Sequence, residues 1–359
     1  MRVMTLIAAL VVAIPVAAAA QDQGNTAATS GAASAEPTAA RAGLAAPAAA
    51  PATLQPGASG GRTRRKGSMV GYIEDATIRT QLRIRFDMGK GMDSPDRAEF
   101  FYGKCGCYRD LAGSPLLDAE APGPGPGIVT GLNFNQFMAL GEYAVNDRVS
   151  IFGELPIRSI DPKSFVEGTG SFEGQSGIGD ITAGLKLGLV TEENRDVTLL
   201  LRASMPSGDS LKGLGTDHAS FEPALLYRQA VHDRVSIESQ FGLWNPIGGS
   251  RGPQPSDGKF AGSVLYYGIG PSFDAFDNGK VRFTPVVELV GWRVLNGFET
   301  KTLLDPIGGD AGGVNIVNLK FGARTSFANN GSFYVGFGWH LTDAVWYDKM
   351  LRIEYRAGF

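Results

Sequence analysis

Charged side chains recur at every second position, and this spacing is the main pattern in the sequence that could support chemistry. Near residue 80, Arg83 and Arg85 alternate with Leu82, Ile84 and Phe86. A period of two places the charged residues on one face of a β-strand and the apolar residues on the other. Guanidinium and carboxylate groups arranged in this way attract anions when they are unpaired and brace a wall when they are paired.

His218 and Ser220 form a second candidate, because they could act as the base and the nucleophile of a lipase or protease. On one strand they lie two residues apart and share a face, but no third group or motif accompanies them. The Gly-Leu-Gly-Thr sequence at 213–216 lacks the lysine of a phosphate-binding loop. We therefore predict no catalytic residue and no cofactor, and an enzyme is the weakest of our hypotheses.

Two cysteines, Cys105 and Cys107, are separated by one glycine. In an exported chain they could form a disulfide, although the ring would be small and strained. Metal binding would need further ligands, and none of His218, His232 and His340 lies near the pair in the sequence. We predict no metal site.

Composition favours strands and turns. The chain has 359 residues, of which 49 are Gly, 20 are Pro and 43% are hydrophobic, so it lacks the dense apolar content of a helical membrane protein. Its 33 basic and 36 acidic residues give a formal net charge of -3, so the whole molecule has no strong attraction for nucleic acid or anionic lipid. Beyond the N-terminus, no apolar stretch reaches the length of about 18 residues that a spanning helix needs.

The N-terminal 67 residues show no strand pattern. A positive start, an apolar stretch from Val3 to Val16 and four alanines before Gln21 are typical of a secretory signal peptide, residues 1–20. An anchoring helix is the alternative, and Pro15 argues against it. Residues 21–67 are mostly Ala, Gly, Pro, Ser and Thr and end in a basic cluster, which predicts a disordered arm. The cluster could touch anionic envelope polymers or could simply end a linker.

Twelve segments after residue 70 alternate between apolar and polar residues. They are 78–86, 132–143, 149–157, 181–189, 197–205, 221–229, 235–243, 264–273, 281–292, 317–324, 333–341 and 351–359. Short turns and long loops rich in Gly and Pro alternate between them, which is the topology of outer-membrane proteins. We therefore predict that residues 68–359 form an all-β fold, an up-and-down antiparallel β-barrel of about twelve strands. A soluble sandwich or propeller is the alternative.

The last segment favours the barrel. It ends in a terminal aromatic residue, Phe359, with Tyr355 on the same face and with Arg352 and Arg356 on the opposite face. This resembles the C-terminal strand of bacterial outer-membrane proteins, and the resemblance implies that the barrel-assembly machinery reads Tyr355 and Phe359. The expected location is the bacterial outer membrane, reached through the periplasm, with outer-membrane lipid around the barrel. An even number of strands places both termini in the periplasm.

The polar faces of the strands are predicted to line the lumen. The residues assigned to it are Arg79, Arg83, Arg85, Asp87, Glu154, Arg158, Asp180, Lys186, Arg202, Glu222, Arg228, Glu238, Arg282, Glu288, Lys320, Arg324, Arg352, Glu354 and Arg356. Twelve cations against seven carboxylates predict an electropositive interior. Twelve strands spaced about 4.8 Å apart and tilted by about 40° enclose a backbone diameter of roughly 24 Å, so inward side chains should leave a narrow or partly blocked pore.

Three glycine-containing motifs lie close together in the sequence. They are Gly-Ile-Gly-Asp at 177–180, Pro-Ser-Gly-Asp at 206–209 and Gly-Leu-Gly-Thr at 213–216. The motifs resemble those of the MetA-pathway phenol-degradation family of outer-membrane proteins, and the resemblance covers about the last two thirds of the chain. It implies a transporter for aromatic or other hydrophobic compounds. From the residues themselves, Asp180 and Asp209 should cap turn amides or pair with lumenal arginines, with ligand binding as the alternative.

These features together predict a porin-like passive channel for the uptake of small, hydrophobic or aromatic solutes. A non-conducting barrel that serves adhesion or envelope structure is the alternative, and it differs only in whether the lumen is open. A lipase-type enzyme of the outer membrane is the third hypothesis.

Overall fold

The computed structural model describes residues 67–92, 129–165, 167–168, 170–249, 261–299 and 309–359. The chain divides into two units, Met1–Gly61 and Arg62–Phe359, and every described residue belongs to the second. The predicted signal peptide, almost all of the predicted arm, and Cys105 and Cys107 lie outside the described residues.

Twelve long strands dominate the described part of the chain. They are β1 (Gln81–Met92), β2 (Val129–Asn146), β3 (Val149–Phe165), β4 (Ile181–Thr191), β5 (Arg195–Met205), β6 (Ala219–His232), β7 (Val235–Ile247), β8 (Val264–Phe273), β9 (Val281–Val294), β10 (Asn315–Phe327), β11 (Gly331–His340) and β12 (Lys349–Gly358). Each of the twelve predicted segments overlaps one of them. Four short strands accompany these in the connecting segments, at Gln175–Ile178, Phe276–Asp277, Phe298–Glu299 and Gly309–Asp310.

The strands close into a barrel. Each pairs antiparallel with the next in sequence, and β12 pairs with β1 from Gly358 opposite Gln81 to Lys349 opposite Lys90. The predicted twelve-stranded up-and-down barrel is therefore confirmed. A closed sheet leaves no edge strand with unpaired backbone groups.

The two ends of the barrel differ. At one end, here called the turn end, tight connections join the strands; between β8 and β9, for example, Asp277 accepts a hydrogen bond from the Gly279 amide at 2.9 Å, and Gly279 has a φ of 79°. At the other, the loop end, the connections are long. Both β1 and β12 have their terminal sides at the turn end. Among the described residues, no helix is long and apolar enough to cross a bilayer.

Apolar side chains point outward and charged side chains point inward. On β1, Leu82 and Ile84 are exposed whereas Arg83 and Asp87 are buried, and on β11 Phe337 is exposed. Soluble proteins show the reverse arrangement. An apolar outer surface around a polar interior is what a surrounding lipid layer requires of a barrel.

Arginine in place of Leu289 should be strongly destabilising. Leu289 lies near the middle of β9 and is 37% exposed on the outer surface. An arginine on the lipid-facing surface costs about 2–4 kcal/mol near the bilayer midplane and about 0–1 kcal/mol near the interface. Phe283 lies near the turn end of the same strand. Urea unfolding of the protein in lipid vesicles should therefore show a much larger decrease in the free energy of unfolding for Leu289→Arg than for Phe283→Arg. Equal losses would mean that the middle of β9 does not contact hydrocarbon.

The first strand was predicted at residues 78–86, within a barrel that starts at residue 68. In the structure β1 begins only at Gln81, and residues 67–80 are not part of the barrel wall. They run inside the barrel, where Met69, Val70, Ile73 and Ala76 are buried. We call residues 67–80 the lumenal segment. Most of its hydrogen-bonded backbone groups bond to side chains of the wall, which is why β1 begins only at Gln81.

Candidate functional site

Two buried glutamates of the wall bind the backbone of the lumenal segment. The Glu288 carboxylate accepts hydrogen bonds from the amides of Gly71 at 2.9 Å, Tyr72 at 2.8 Å and Ile73 at 2.8 Å. The Glu238 carboxylate accepts one from the amide of Met69 at 2.7 Å. Hydrogen bonds to an ionised acceptor in a shielded interior are among the stronger ones in proteins.

Arginines of the wall bind the carbonyl groups of the same segment. Arg324 donates to Val70 O at 2.8 Å, Arg356 donates to the same oxygen at 3.0 Å, and Arg352 donates to Gly71 O at 2.6 Å. Carboxylates of the wall thus accept hydrogen bonds from the amides of the segment, and guanidiniums of the wall donate hydrogen bonds to its carbonyl groups. Wall and segment together satisfy backbone groups that would otherwise be buried without partners.

The arginines are also paired within the wall. Arg352 lies 2.7 Å from Asp87, and Arg324 lies 2.7 Å from Glu354, which also pairs with Arg356 at 2.5 Å. These contacts link strands β1, β10 and β12. Bracing by ion pairs accounts for much of the charge that the alternating pattern placed inside the barrel.

Tyr72 anchors the tip of the lumenal segment. Two cations contact its ring, with Lys320 Nζ 4.3 Å from the centroid and the Arg352 guanidinium carbon also at 4.3 Å. Its hydroxyl donates to Gly336 O at 3.1 Å, and its ring meets Tyr334 edge-on. Cation–π contacts of this kind strengthen when water is excluded.

Apolar contacts fill the space around the segment in the turn half of the barrel. Met69, Val70 and Ile73 pack against Val286 and Val290 of β9. Each large apolar side chain buried in this way contributes about 1.5–3 kcal/mol relative to an exposed one. The turn half of the lumen is therefore blocked by the lumenal segment, whereas the inward side chains of the wall were expected to narrow it.

Glu74 joins the segment to a cluster of charges at mid-height. Its carboxylate lies 2.8 Å from Arg202 and 3.3 Å from Arg83, and Arg202 also contacts Glu222 at 3.0 Å. Burial acts to raise the pKa of Glu74, but the guanidiniums of Arg202 and Arg83 outweigh burial and hold this pKa well below its usual range. Glu74 therefore stays ionised at neutral pH.

A chamber of about 310 Å³ occupies the loop half of the lumen, above the lumenal segment. Tyr72 and Glu74 form its floor. Its polar lining comes from Arg85, Asp87, Gln136, Glu154, Arg158, Asp180, Thr182, Arg202, Ser204, Thr216, Ser220, Glu222, Gln240, Lys320 and Arg352. Its apolar and aromatic lining comes from Met92, Phe134, Met138, Pro156, Trp244, Tyr266, Val290, Trp292, Trp346, Tyr347 and Met350.

Two inward-folded connections narrow the mouth of the chamber at the loop end. The connection from β5 to β6 buries Leu214, and the connection from β11 to β12 buries Trp346 and Tyr347. All three side chains belong to one apolar cluster with Phe134 and Met350 of the wall. The mouth of the chamber therefore carries an apolar cover, whereas the charged cluster around Glu74 lies at the floor.

The three glycine motifs meet at this mouth. Asp180 accepts hydrogen bonds from the Gly208 amide at 3.0 Å and from both the amide and the hydroxyl of Thr216 at 2.8 Å. Gly208 packs directly on the 213–216 motif, because an added Cβ would lie 2.6 Å from Leu214 O. The predicted role of Asp180 in capping turn amides is confirmed. Asp209 instead makes no side-chain cap to the helical turn Ser210–Lys212 that follows it.

The structure places most of the predicted lumenal residues inside the barrel. Buried there are Arg83, Asp87, Glu154, Arg158, Lys186, Arg228, Glu238, Glu288, Lys320, Arg324, Arg352, Glu354 and Arg356. Arg85, Arg202 and Glu222 are half-buried and line the chamber. Arg79 precedes β1 and pairs with Asp75 at 2.7 Å, and Asp180 lies between two strands. Arg282 pairs with Asp277 at 3.0 Å at the turn end.

Acidic residues of the interior that the sequence pattern missed include the following four. Glu142 pairs with Lys186 at 3.0 Å, and Asp196 pairs with Arg228 at 3.2 Å. Both lie in phase with the inward faces of β2 and β5, so the alternation could have revealed them. Glu74 and Asp75 lie in the lumenal segment, which shows no alternation. With these four, the interior is closer to neutral than the predicted excess of cations.

The predicted pair does not share one strand, because His218 precedes β6 and only Ser220 lies in it, although both side chains are buried. The His218 ring packs against Trp244, with centroids 5.6 Å apart, and Nδ1 lies 3.2 Å from Ala219 O. Ser220 lines the chamber. Within the described residues, no cluster of three or more His, Cys, Asp or Glu side chains could hold a metal ion.

Known structures of outer-membrane proteins share this architecture. The COG4313 outer membrane channel from Pseudomonas putida F1 is similar with a TM-score of 0.50 and 14% identity, covering 81% of this chain and 99% of that one. The NanC porin has a TM-score of 0.43 and 6% identity over 77% and 98% of the two chains. The β domain of the Bordetella autotransporter BrkA has a TM-score of 0.44 and 13% identity over 78% and 100%. No protein-family model and no curated protein matches the sequence.

The fold is therefore that of an outer-membrane β-barrel. Its apolar outer surface, its closed antiparallel sheet and the difference between its two ends agree with that class. Because every sequence identity is low, the likeness to the known structures concerns the fold alone.

Proposed function

We propose that this protein is a channel of the bacterial outer membrane that admits small solutes to the chamber in its loop half. The observation that carries the proposal is a space of about 310 Å³ inside a barrel whose outer face is apolar. Pockets of roughly 300–1,000 Å³ with a largely apolar lining and a few polar groups are typical small-molecule sites. The loop end then faces outside the cell, and the turn end faces the periplasm.

The lining of the chamber favours solutes with an aromatic or apolar body and a polar end. Trp244, Trp292 and Trp346 offer flat apolar surface, while Arg202 and Glu222 offer hydrogen-bonding groups nearer the floor. Membership of the MetA-pathway phenol-degradation family is part of this proposal, and the meeting of its three motifs at the mouth supports it. Recognition of the exposed Tyr355 and Phe359 by the barrel-assembly machinery is also part of it.

A non-conducting barrel is the second candidate. The observation that favours it is the lumenal segment, which packs tightly into the turn half and contacts the wall on several sides. The two candidates predict different electrical behaviour, so one experiment separates them.

That experiment is single-channel recording of the full-length protein in a planar lipid bilayer. We expect discrete conductance steps, and a correctly folded protein that stays silent under all applied voltages would favour the non-conducting barrel. Heat-modifiable migration on a gel would confirm that the inserted barrel is folded.

Charge reversal at Arg202 should shift the selectivity of these steps toward cations. Arg202 lines the chamber, whereas Arg228 is 1% exposed, pairs with Asp196 at 3.2 Å and does not line it. We therefore expect Arg202→Glu to change the reversal potential in a salt gradient, while Arg228→Gln leaves it near the wild-type value. The same reversal potential in the wild-type protein and in both variants would show that Arg202 does not line the conduction path.

A further inference from the structure

We propose that the turn half of the lumen is a binding site for a short, bent peptide. Its resident ligand is residues 68–77 of this chain, and release of this ligand joins the chamber to the periplasmic side. The peptide site stands on contacts described above. Only the consequence for conductance rests on the proposed channel function.

The wall recognises the main chain of the segment. Glu288 binds three successive amides, and Arg324 and Arg352 bind carbonyl groups. Every peptide carries such groups, and the bend at residues 71–73 turns three successive amides toward one carboxylate. Side chains add two requirements, a glycine at the position of Gly71 and an aromatic ring at the position of Tyr72.

The wall stays electrostatically paired when the segment leaves. Arg352 keeps Asp87, and Arg324 and Arg356 keep Glu354. Glu288 keeps the hydroxyl of Tyr334, at 3.0 Å, and its remaining lone pairs can be hydrated. Water can likewise replace the amide that Glu238 loses. A vacated site would therefore leave no buried cation of this group without a counter-charge, and binding can be reversible.

The topology permits withdrawal without unthreading. The Phe359 amide binds Thr80 O at 3.1 Å, which holds one end of the segment at the turn end. Gly67, at the other end, lies beside the guanidinium of Arg79. The segment therefore enters and leaves on the same side of the barrel. No strand ladder is described between it and the wall.

Withdrawal would remove the floor of the chamber. Tyr72 and Glu74 close the chamber toward the turn end, and Val70 and Ile73 fill the space below. Once these side chains leave, the loop-half chamber and the turn end form one continuous lumen. The segment is thus both a ligand of the barrel and its inner gate.

A reversible cross-link tests the gate in the full-length protein. An ideal Cβ on Gly270 would lie 2.9 Å from Val70 Cγ1, which brings the sulfurs of a Val70→Cys, Gly270→Cys pair within bonding reach. Cys105 and Cys107 are replaced by serine in this background. We expect no openings in the oxidised protein and discrete openings after reduction, while each single variant is insensitive to reductant. Equal activity before and after reduction would overturn the gate.

Competition by a peptide tests the site without a conductance measurement. A synthetic peptide with the sequence of residues 68–77 is added on the turn side of vesicles that contain the full-length Ile73→Cys variant in the same serine background. Ile73 is 1% exposed, so its thiol should react slowly with a polar maleimide. By keeping the segment out, the peptide should raise the labelling rate about tenfold, the change that 1.4 kcal/mol of binding preference produces. A control peptide with leucine at the position of Gly71 should have no effect.

The outcomes separate the two proposals. Labelling that rises with the peptide in a protein that never conducts would sink the channel function and leave the peptide site in place. Conductance that responds neither to the cross-link nor to the peptide would overturn the gate and leave the channel function in place. Labelling that the peptide does not change, at concentrations up to the millimolar range, would overturn the inference.

Discussion

Alanine at position 71 is expected to hold the barrel open. An added Cβ on Gly71 would lie 2.1 Å from Tyr334 Cε1 and 2.2 Å from Cζ, so either the segment or the ring must move. Tyr334 is fully buried and its hydroxyl donates to Glu288 at 3.0 Å, which leaves the ring little freedom. Overpacking of this kind costs about 1–3 kcal/mol. Each 1.4 kcal/mol shifts an equilibrium tenfold, so the open fraction in single-channel recordings should rise by about tenfold or more.

Gly141→Ala is the matched control for this change. Gly141 lies in β2, and an added Cβ there meets no other atom within 4 Å. This variant should conduct like the wild-type protein and unfold at the same temperature. Indistinguishable open fractions for Gly71→Ala and Gly141→Ala would show that docking of the segment does not control the lumen.

Removal of the Asp180 carboxylate is expected to release the loop-end cover. Its two oxygens receive three hydrogen bonds from Gly208 and Thr216, across 28 and 36 residues of chain. A buried hydrogen bond to a charged group contributes about 1.5–3 kcal/mol, and these three are weakened because Asp180 is only half-buried, so Asp180→Ala should cost roughly 3–5 kcal/mol locally. Protease cleavage within residues 206–217 of the folded barrel should become much faster. Leu214, which this connection buries at the mouth, should become accessible to solvent in the same variant.

Asp209→Asn is the matched control, because Asp209 ends the related motif. Its side chain is 44% exposed and pairs with Lys212 at 3.2 Å on the surface. Such a pair contributes about 0–1 kcal/mol, so cleavage should stay near the wild-type rate. Equal cleavage of the two variants would mean that the Asp180 contacts do not hold the connection in place.

The two changes act on opposite ends of one chamber. Gly71→Ala disturbs the floor formed by the lumenal segment, and Asp180→Ala disturbs the cover formed by the 206–217 connection. Because they share no described contact, their effects on conductance should be independent. In a channel with both substitutions, solutes should therefore reach the chamber from both the turn end and the loop end.

The sequence by itself determined the barrel. Alternation with a period of two is a local property of each strand, so residues such as Leu82 and Arg83 could be assigned to opposite faces without knowledge of their neighbours. The same reasoning placed Glu288, Arg324 and Arg352 in the interior. Turn residues and loop lengths then ordered the strands, because antiparallel neighbours need only short connections at one end.

The tertiary structure alone decided what fills that interior. The lumenal segment has no alternation, and its partners lie far away in the chain: Gly71 meets Glu288 across 217 residues, and Val70 meets Arg324 across 254. The meeting of Asp180 with Thr216 likewise depends on how two connections fold inward. Such contacts depend on which side chains closure of the barrel brings together, and a local pattern carries no information about that pairing.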